Sequence, residues 1–138
     1  MMRIFCDTNV LIYAYSITEP LKADITNRVL FEQHTIISTQ VINEFVNTCY
    51  KKLRLPDERV KQAASELIDS FRVVSFTANT QLKALDIKAR YKLQYYDSMI
   101  IATALENDCD ILYSEDMQHG LVIDNHLKVI NPFIANLN

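Results

Sequence analysis

A three-layer α/β/α fold with a mostly parallel central sheet is the architecture this sequence predicts, on three observations. Short apolar or β-branched runs alternate with longer segments of helical character, the pattern of parallel strands joined by crossover helices that cover both faces of a sheet. One glycine and three prolines in 138 residues supply no linker or low-complexity tract, so one domain over residues 1–138 is expected. Acidic residues follow closely on apolar runs, where open parallel sheets bind their ligands.

The first strand is Ile4-Phe5-Cys6, ending at Asp7-Thr8-Asn9, and Val10 to Tyr15 and Leu21 to Phe31 read as helical. Thr35-Ile36-Ile37-Ser38 is a second strand, followed without a turn by a helical segment from Thr39 to Leu53. Pro56 with Asp57 and Glu58 starts a helix that runs to about Phe71. Val73-Val74-Ser75 is a third strand, and Thr77 to Tyr91 is helical by composition. Asp97-Ser98 is expected to cap a helix through Glu106, with Ile100, Ile101, Ala104 and Leu105 as its apolar stripe. Asp110 to Tyr113 is a strand, Ser114 to Gly120 a loop, and Lys128-Val129-Ile130 a last strand.

Composition removes several function classes. The chain is 49% hydrophobic and 22% charged, within the range of ordinary globular proteins, and no apolar run approaches the roughly 20 residues that span a bilayer. An acid at position 7 interrupts what a signal peptide would keep apolar, so a cytoplasmic location is the expectation. Cys6, Cys49 and Cys109 are widely spaced among apolar neighbours, and His34, His119 and His126 lack metalloprotease spacing, which argues against zinc and redox chemistry. A single glycine rules out the phosphate-cradling loops of Walker-type and dinucleotide-binding proteins. The net charge of −3 gives no global attraction to nucleic acid. Nine of the 14 basic residues nevertheless fall in two stretches, Lys51, Lys52, Arg54, Arg59 and Lys61, then Lys83, Lys88, Arg90 and Lys92. These are either solvated helix faces or a track for a phosphate backbone.

Four acids carry the chemistry. Asp7 follows the first strand, Asp116 lies three residues beyond Tyr113, and Asp97 starts the helix that leads into that strand. Glu44 lies within a helix, about 60° outside the arc of Val41, Ile42, Phe45, Val46, Cys49 and Leu53 at ~100° per residue, so it borders the buried face. Each acid alone has a plainer role: Asp7 and Asp97 as helix N-caps, Asp116 as a turn residue, Glu44 as a solvated helical acid. If the four converge, mutual repulsion raises their pKa values unless a cation neutralises them. A hard divalent ion with oxygen ligands suits such a set, as one ion or as two about 3.5–4 Å apart that stabilise the entering and leaving oxygens of a phosphodiester attack.

At these residues the sequence resembles the PIN-domain nucleases, particularly the VapC-type toxins of type II toxin–antitoxin pairs. The resemblance rests on Ile4-Phe5-Cys6-Asp7-Thr8-Asn9-Val10-Leu11, Ile37-Ser38-Thr39-Gln40-Val41-Ile42-Asn43-Glu44-Phe45, Tyr96-Asp97-Ser98-Met99-Ile100-Ile101-Ala102 and Leu112-Tyr113-Ser114-Glu115-Asp116-Met117, and so covers nearly the whole chain. It implies a PIN-like fold in which Asp7, Glu44, Asp97 and Asp116 hold Mg²⁺ or Mn²⁺, with Asn9 and Ser114 in support. It further implies hydrolysis of single-stranded or looped RNA, tRNA among the candidates, to a 5′-phosphate and a 3′-hydroxyl. A homodimer and a cognate antitoxin inserted near the site are implied as well. Glu115 and Asp116 are adjacent and either could face the metal; Asp116 is the preferred assignment.

Three other readings compete. A haloacid-dehalogenase-type phosphatase also begins with a strand-end aspartate, but it needs a second aspartate two residues on, where this sequence has Asn9. A catalytically silent module would use the acidic pocket only to bind a partner, which gives no reason to keep all four acids. A PIN-domain RNA-processing nuclease that is not a toxin would share every motif above.

Overall fold

The computed structural model of the protein describes residues 2–31 and 34–135; residue 1 and residues 136–138, the ends of the expected domain, lie outside them. Strands β1 (Ile4–Cys6), β2 (Thr35–Ser38), β3 (Arg72–Val74), β4 (Ile111–Tyr113), β5 (Val122–Ile123) and β6 (Leu127–Ile130) form a sheet in the order β3-β2-β1-β4-β6-β5. All pairs are parallel except β5 with β6. The helices are α1 (Thr8–Leu11), continued by a 3₁₀ turn (Ile12–Tyr15), α2 (Pro20–Phe31), α3 (Thr39–Lys51), α4 (Asp57–Ser70), α5 (Ala78–Tyr91), α6 (Tyr95–Glu106) and α7 (Pro132–Ala135).

The strand order dictates where the site can be. The chain steps from β1 to β2 to β3 in one direction, then returns to lay β4 on the other side of β1. With right-handed crossovers, this reversal puts α1 to α4 on one face of the sheet and α5 and α6 on the other. It also opens a crevice between the carboxyl ends of β1 and β4, the switch point at which open α/β sheets place ligands.

The core follows from burial on both sheet faces. Ile4, Phe5 and Cys6 of β1 are each at most 1% exposed, as a central strand requires. In α3, Val41, Phe45 and Cys49 recur every four residues and are fully buried, which fixes that helix on the sheet with Glu44 at the margin of the buried stripe. Cys6, Cys49 and Cys109 are unpaired and buried. No helix among the described residues is long and apolar enough to cross a membrane.

Three departures from the expected elements have local causes. The helix expected from Asp97 begins two residues earlier, at Tyr95, because the amide and hydroxyl of Ser98 both donate to the carbonyl of Gln94, at 3.0 and 2.8 Å. Gln94 is therefore the cap, and Asp97 sits in the first turn. The segment from Val10 to Tyr15 is split between α1 and the tighter 3₁₀ turn. Strand β5 was not expected: Asp124 and Asn125 take positive φ values of 51° and 55°, and the His126 amide donates to the Ile123 carbonyl at 3.0 Å. That is a mirror-image turn of the kind that joins hairpins.

Candidate active site

Each acid reaches the crevice from its own element. Asp7 follows β1 directly and caps α1, its Oδ1 accepting the Thr8 amide at 2.7 Å. It is a cap and a crevice acid at once. Cys6 pairs with Tyr113 across β1 and β4, so the next residues, Asp7 and Ser114, emerge side by side, and the Ser114 hydroxyl donates to Asp7 Oδ2 at 3.1 Å. Asn9 Nδ2 lies 3.2 Å from Asp7 Oδ2 and 3.1 Å from Asp116 Oδ2, so one side-chain amide spans two carboxylates. Its Oδ1 accepts the Glu115 amide at 3.0 Å, fixing the loop that carries Asp116.

Glu44 faces the crevice from α3, and Asp97 from the first turn of α6. Helix α3 leaves the carboxyl end of β2, whereas α6 runs back toward the amino end of β4, so both helices begin at the same rim of the sheet. Asp7, Glu44, Asp97 and Asp116 all line one open cavity of about 560 Å³.

Two residues that orient Glu44 escaped the sequence reading. The Thr8 hydroxyl donates to Glu44 Oε2 at 2.9 Å, and Gln40 Nε2 donates to Oε1 at 3.3 Å. Gln40 lies one helical turn before Glu44, a spacing at which side chains meet, so that signal was present in the sequence. Thr8 gave none beyond its adjacency to Asp7.

The electrostatics tie the acids together. Burial and then the charge of Glu44, with a smaller push from Asp97, raise the Asp7 carboxyl from 3.8 to about 7, against the Thr8 amide and Ser114 hydroxyl, which lower it. Burial and then the charges of Asp116 and Glu44 hold Asp97 above the ordinary carboxylate range. Asp7 is 5% exposed, so solvent does little to screen this repulsion.

Glu115 turns to different partners. Its Oε1 accepts the Tyr13 hydroxyl at 2.8 Å, and its Oε2 pairs with Lys22 at 2.7 Å. The Lys22 ammonium also lies 4.8 Å from the centre of the Tyr13 ring. Glu115 lines the cavity edge, but both of its oxygens are engaged. The two basic stretches also separate: Lys52 lines the cavity, while Arg90 binds Asp124 at 2.6 Å and helps anchor the β5–β6 hairpin.

The donor set is all oxygen, which fits a hard cation such as Mg²⁺ or Mn²⁺ and not zinc or copper. Among the described residues, no three Asp, Glu, His or Cys side chains gather tightly enough to form a ready-made metal cage. Mg²⁺ does not need one, since it keeps several waters and commonly binds through one or two carboxylates together with substrate phosphate.

Comparison with known proteins agrees with this architecture. The model of the PIN domain family matches residues 4–120. The VapC20 toxin of Mycobacterium tuberculosis, which cleaves the sarcin–ricin loop, superposes with a TM-score of 0.67 at 18% identity, over 82% of this chain and 89% of that one. A toxin–antitoxin complex from Klebsiella pneumoniae gives 0.70 at 21% identity, over 94% and 97%. VapBC2 from Rickettsia felis, bound to promoter DNA, gives 0.68 at 14% identity, over 93% and 98%. No curated protein is significantly similar to the chain. With the family model matched from the first strand to beyond the last of the four acids, on a sheet whose switch point carries them, the chain belongs to the PIN-domain family of nucleases.

Proposed function

We propose that this protein is a divalent-metal-dependent endoribonuclease and the toxin of a type II toxin–antitoxin pair, with Asp7, Glu44, Asp97 and Asp116 as its Mg²⁺ or Mn²⁺ ligands. The observation that carries the proposal is the shared cavity of four carboxylates, in which Asp7 is pushed to about 7 by burial and its like-charged neighbours. Such a site gains from a cation that offsets the repulsion. When bound, the metal supplies Lewis acidity toward a phosphodiester and toward water.

The remaining work falls to the chain's own side chains. Asn9 holds Asp7 and Asp116 at a fixed spacing, and Ser114 orients Asp7 from the neighbouring strand. Thr8 and Gln40 take one oxygen of Glu44 each. Lys52 stands at the cavity wall, placed to neutralise a substrate phosphate. Solved neighbours that are toxin–antitoxin complexes support a cognate antitoxin as partner, and the resemblance supports a homodimer.

Sequencing of RNA ends after brief induction tests the proposal. The wild type is expected to arrest growth and to generate new 5′-phosphate ends, tRNA among the candidate sources, while Asp7→Asn does neither. New ends that persist in Asp7→Asn would place the chemistry elsewhere. Ends without growth arrest would point to RNA processing instead of a toxin.

A further inference from the structure

A second cavity, of about 430 Å³, adjoins the acid cavity between the first turns of α3, α5 and α6. Glu44 and Tyr96 line both cavities, so the two lie side by side. The lining is unlike that of the acid cavity. Phe76, Tyr95 and Tyr96 supply aromatic surface, and Met99, 2% exposed, closes the floor. Apart from Glu44 and the two tyrosine hydroxyls, the polar groups are neutral amides, Gln40, Asn43 and Gln81, and among the described residues none that lines the cavity is basic. Gln40 belongs to both settings, with Nε2 3.3 Å from Glu44 Oε1 and 3.5 Å from the Tyr96 carbonyl.

Ring faces with neutral amides suit a particular ligand chemistry. A phosphate would want cations, and a carboxylate likewise. A nucleobase wants a π surface to stack on and groups that both donate and accept at its edge, and a carboxamide does both. Tyr95 and Tyr96 meet edge to face, 5.6 Å between centroids, a geometry that leaves ring surface open. Tyr96 remains 68% exposed, which leaves its ring accessible to a ligand.

We propose that this second cavity is a base-binding subsite, taking one unpaired nucleobase of the RNA strand next to the phosphodiester at the acids, stacked on Tyr96 with its edge against the amides of Asn43 and Gln81. The proposal rests on the nuclease reading and gives its expected preference for single-stranded or looped RNA a place and a set of residues: the strand must be unpaired beside the cut because one base occupies this cavity. It follows that a duplex, whose bases are already stacked and paired, enters poorly.

The test uses the full chain carrying Asp7→Asn, so that RNA is bound and not cut, with fluorescence anisotropy on octaadenylate and on an abasic ribose-phosphate octamer of equal charge. Octaadenylate is expected to bind about tenfold more tightly or better, the size of one base–aromatic stack. Adding Tyr96→Ala is expected to erase that gap without weakening the abasic octamer, and Tyr96→Phe to preserve it. A gap untouched by Tyr96→Ala overturns the proposal, as does an equal loss on both oligomers. If light scattering shows a dimer falling to monomer in Tyr96→Ala while the gap stays, the surface is covered by a second copy and the subsite falls. Cleavage of structured RNA by the wild type with Mg²⁺ separates the two readings. Cleavage with no Tyr96-dependent gap removes the subsite alone, and a Tyr96-dependent gap with no cleavage removes the nuclease reading alone.

Discussion

The corner around Glu115 and the cavity around Asp7 are neighbours with opposite charge balance. Glu115 has a lysine at 2.7 Å and a tyrosine hydroxyl at 2.8 Å. Asp7 has hydrogen bonds but, among the described residues, no cationic partner, and its nearby charges are Glu44 and Asp97. An acid held for structure brings its counter-charge with it. The acids of the cavity repel one another, and that stored repulsion is what a divalent ion or a proton relieves. Asp116, one residue from Glu115, falls on the cavity side because the Asn9 amide takes its carboxylate.

The largest effect should come from breaking this asymmetry at its centre. Asp116→Asn is expected to lower RNA cleavage on the order of 10³-fold, the loss of several kcal/mol of transition-state stabilisation. Glu115→Gln should keep most of the rate in the same gel assay. The reverse ranking would mean that the wrong acid has been assigned to the metal.

Next comes stability against pH without divalent ions. Below about 3.8, Asp7 is protonated in both the folded and the unfolded chain and costs nothing. Between there and about 7 the unfolded chain ionises first, so stability is lost as pH rises and levels off above the folded value. The span corresponds to on the order of 4 kcal/mol. Asp7→Asn should therefore melt higher than wild type by several degrees at pH 8 and lose that advantage near pH 4, and Mg²⁺ should raise the wild-type Tm at pH 8 more than that of the variant. A difference between the two proteins that does not change with pH would show that Asp7 carries no such repulsion.

The smallest effects distinguish two lysines. Lys52→Glu is expected to weaken RNA binding several-fold and to reduce the slope of log affinity against log salt by about one, with stability nearly unchanged. Lys22→Met should do the opposite, costing up to about 1 kcal/mol in a denaturant melt through the partly buried pair with Glu115 and leaving the salt slope intact. Matching salt slopes in the two variants would erase the distinction between a substrate lysine and a structural one.

Much of this is legible in the sequence. Apolar and β-branched runs located β1 and β2, the apolar arc located α3, and the Pro56-Asp57-Glu58 start located α4, each to within a residue or two, because burial and helix ends leave a local imprint on sequence. The start of α6 was misplaced because aspartate is a good cap in general, and only the hydrogen bonds of Ser98 to Gln94 show that the cap lies further back. Strand β5 was missed because two residues carry too little pattern, although Asp124-Asn125 was a turn signal.

The sequence by itself determined the alternating elements, the four acids and their local settings, since these depend on residue type and spacing along the chain. Only the tertiary structure decided that Asn9 bridges Asp7 to Asp116 and that Glu115 is drawn off by Lys22 and Tyr13. It alone set a cavity of aromatic and amide side chains beside the acid cavity. Those contacts join residues up to 107 positions apart. Such pairings depend on the order in which strands meet in the sheet, which no local pattern encodes.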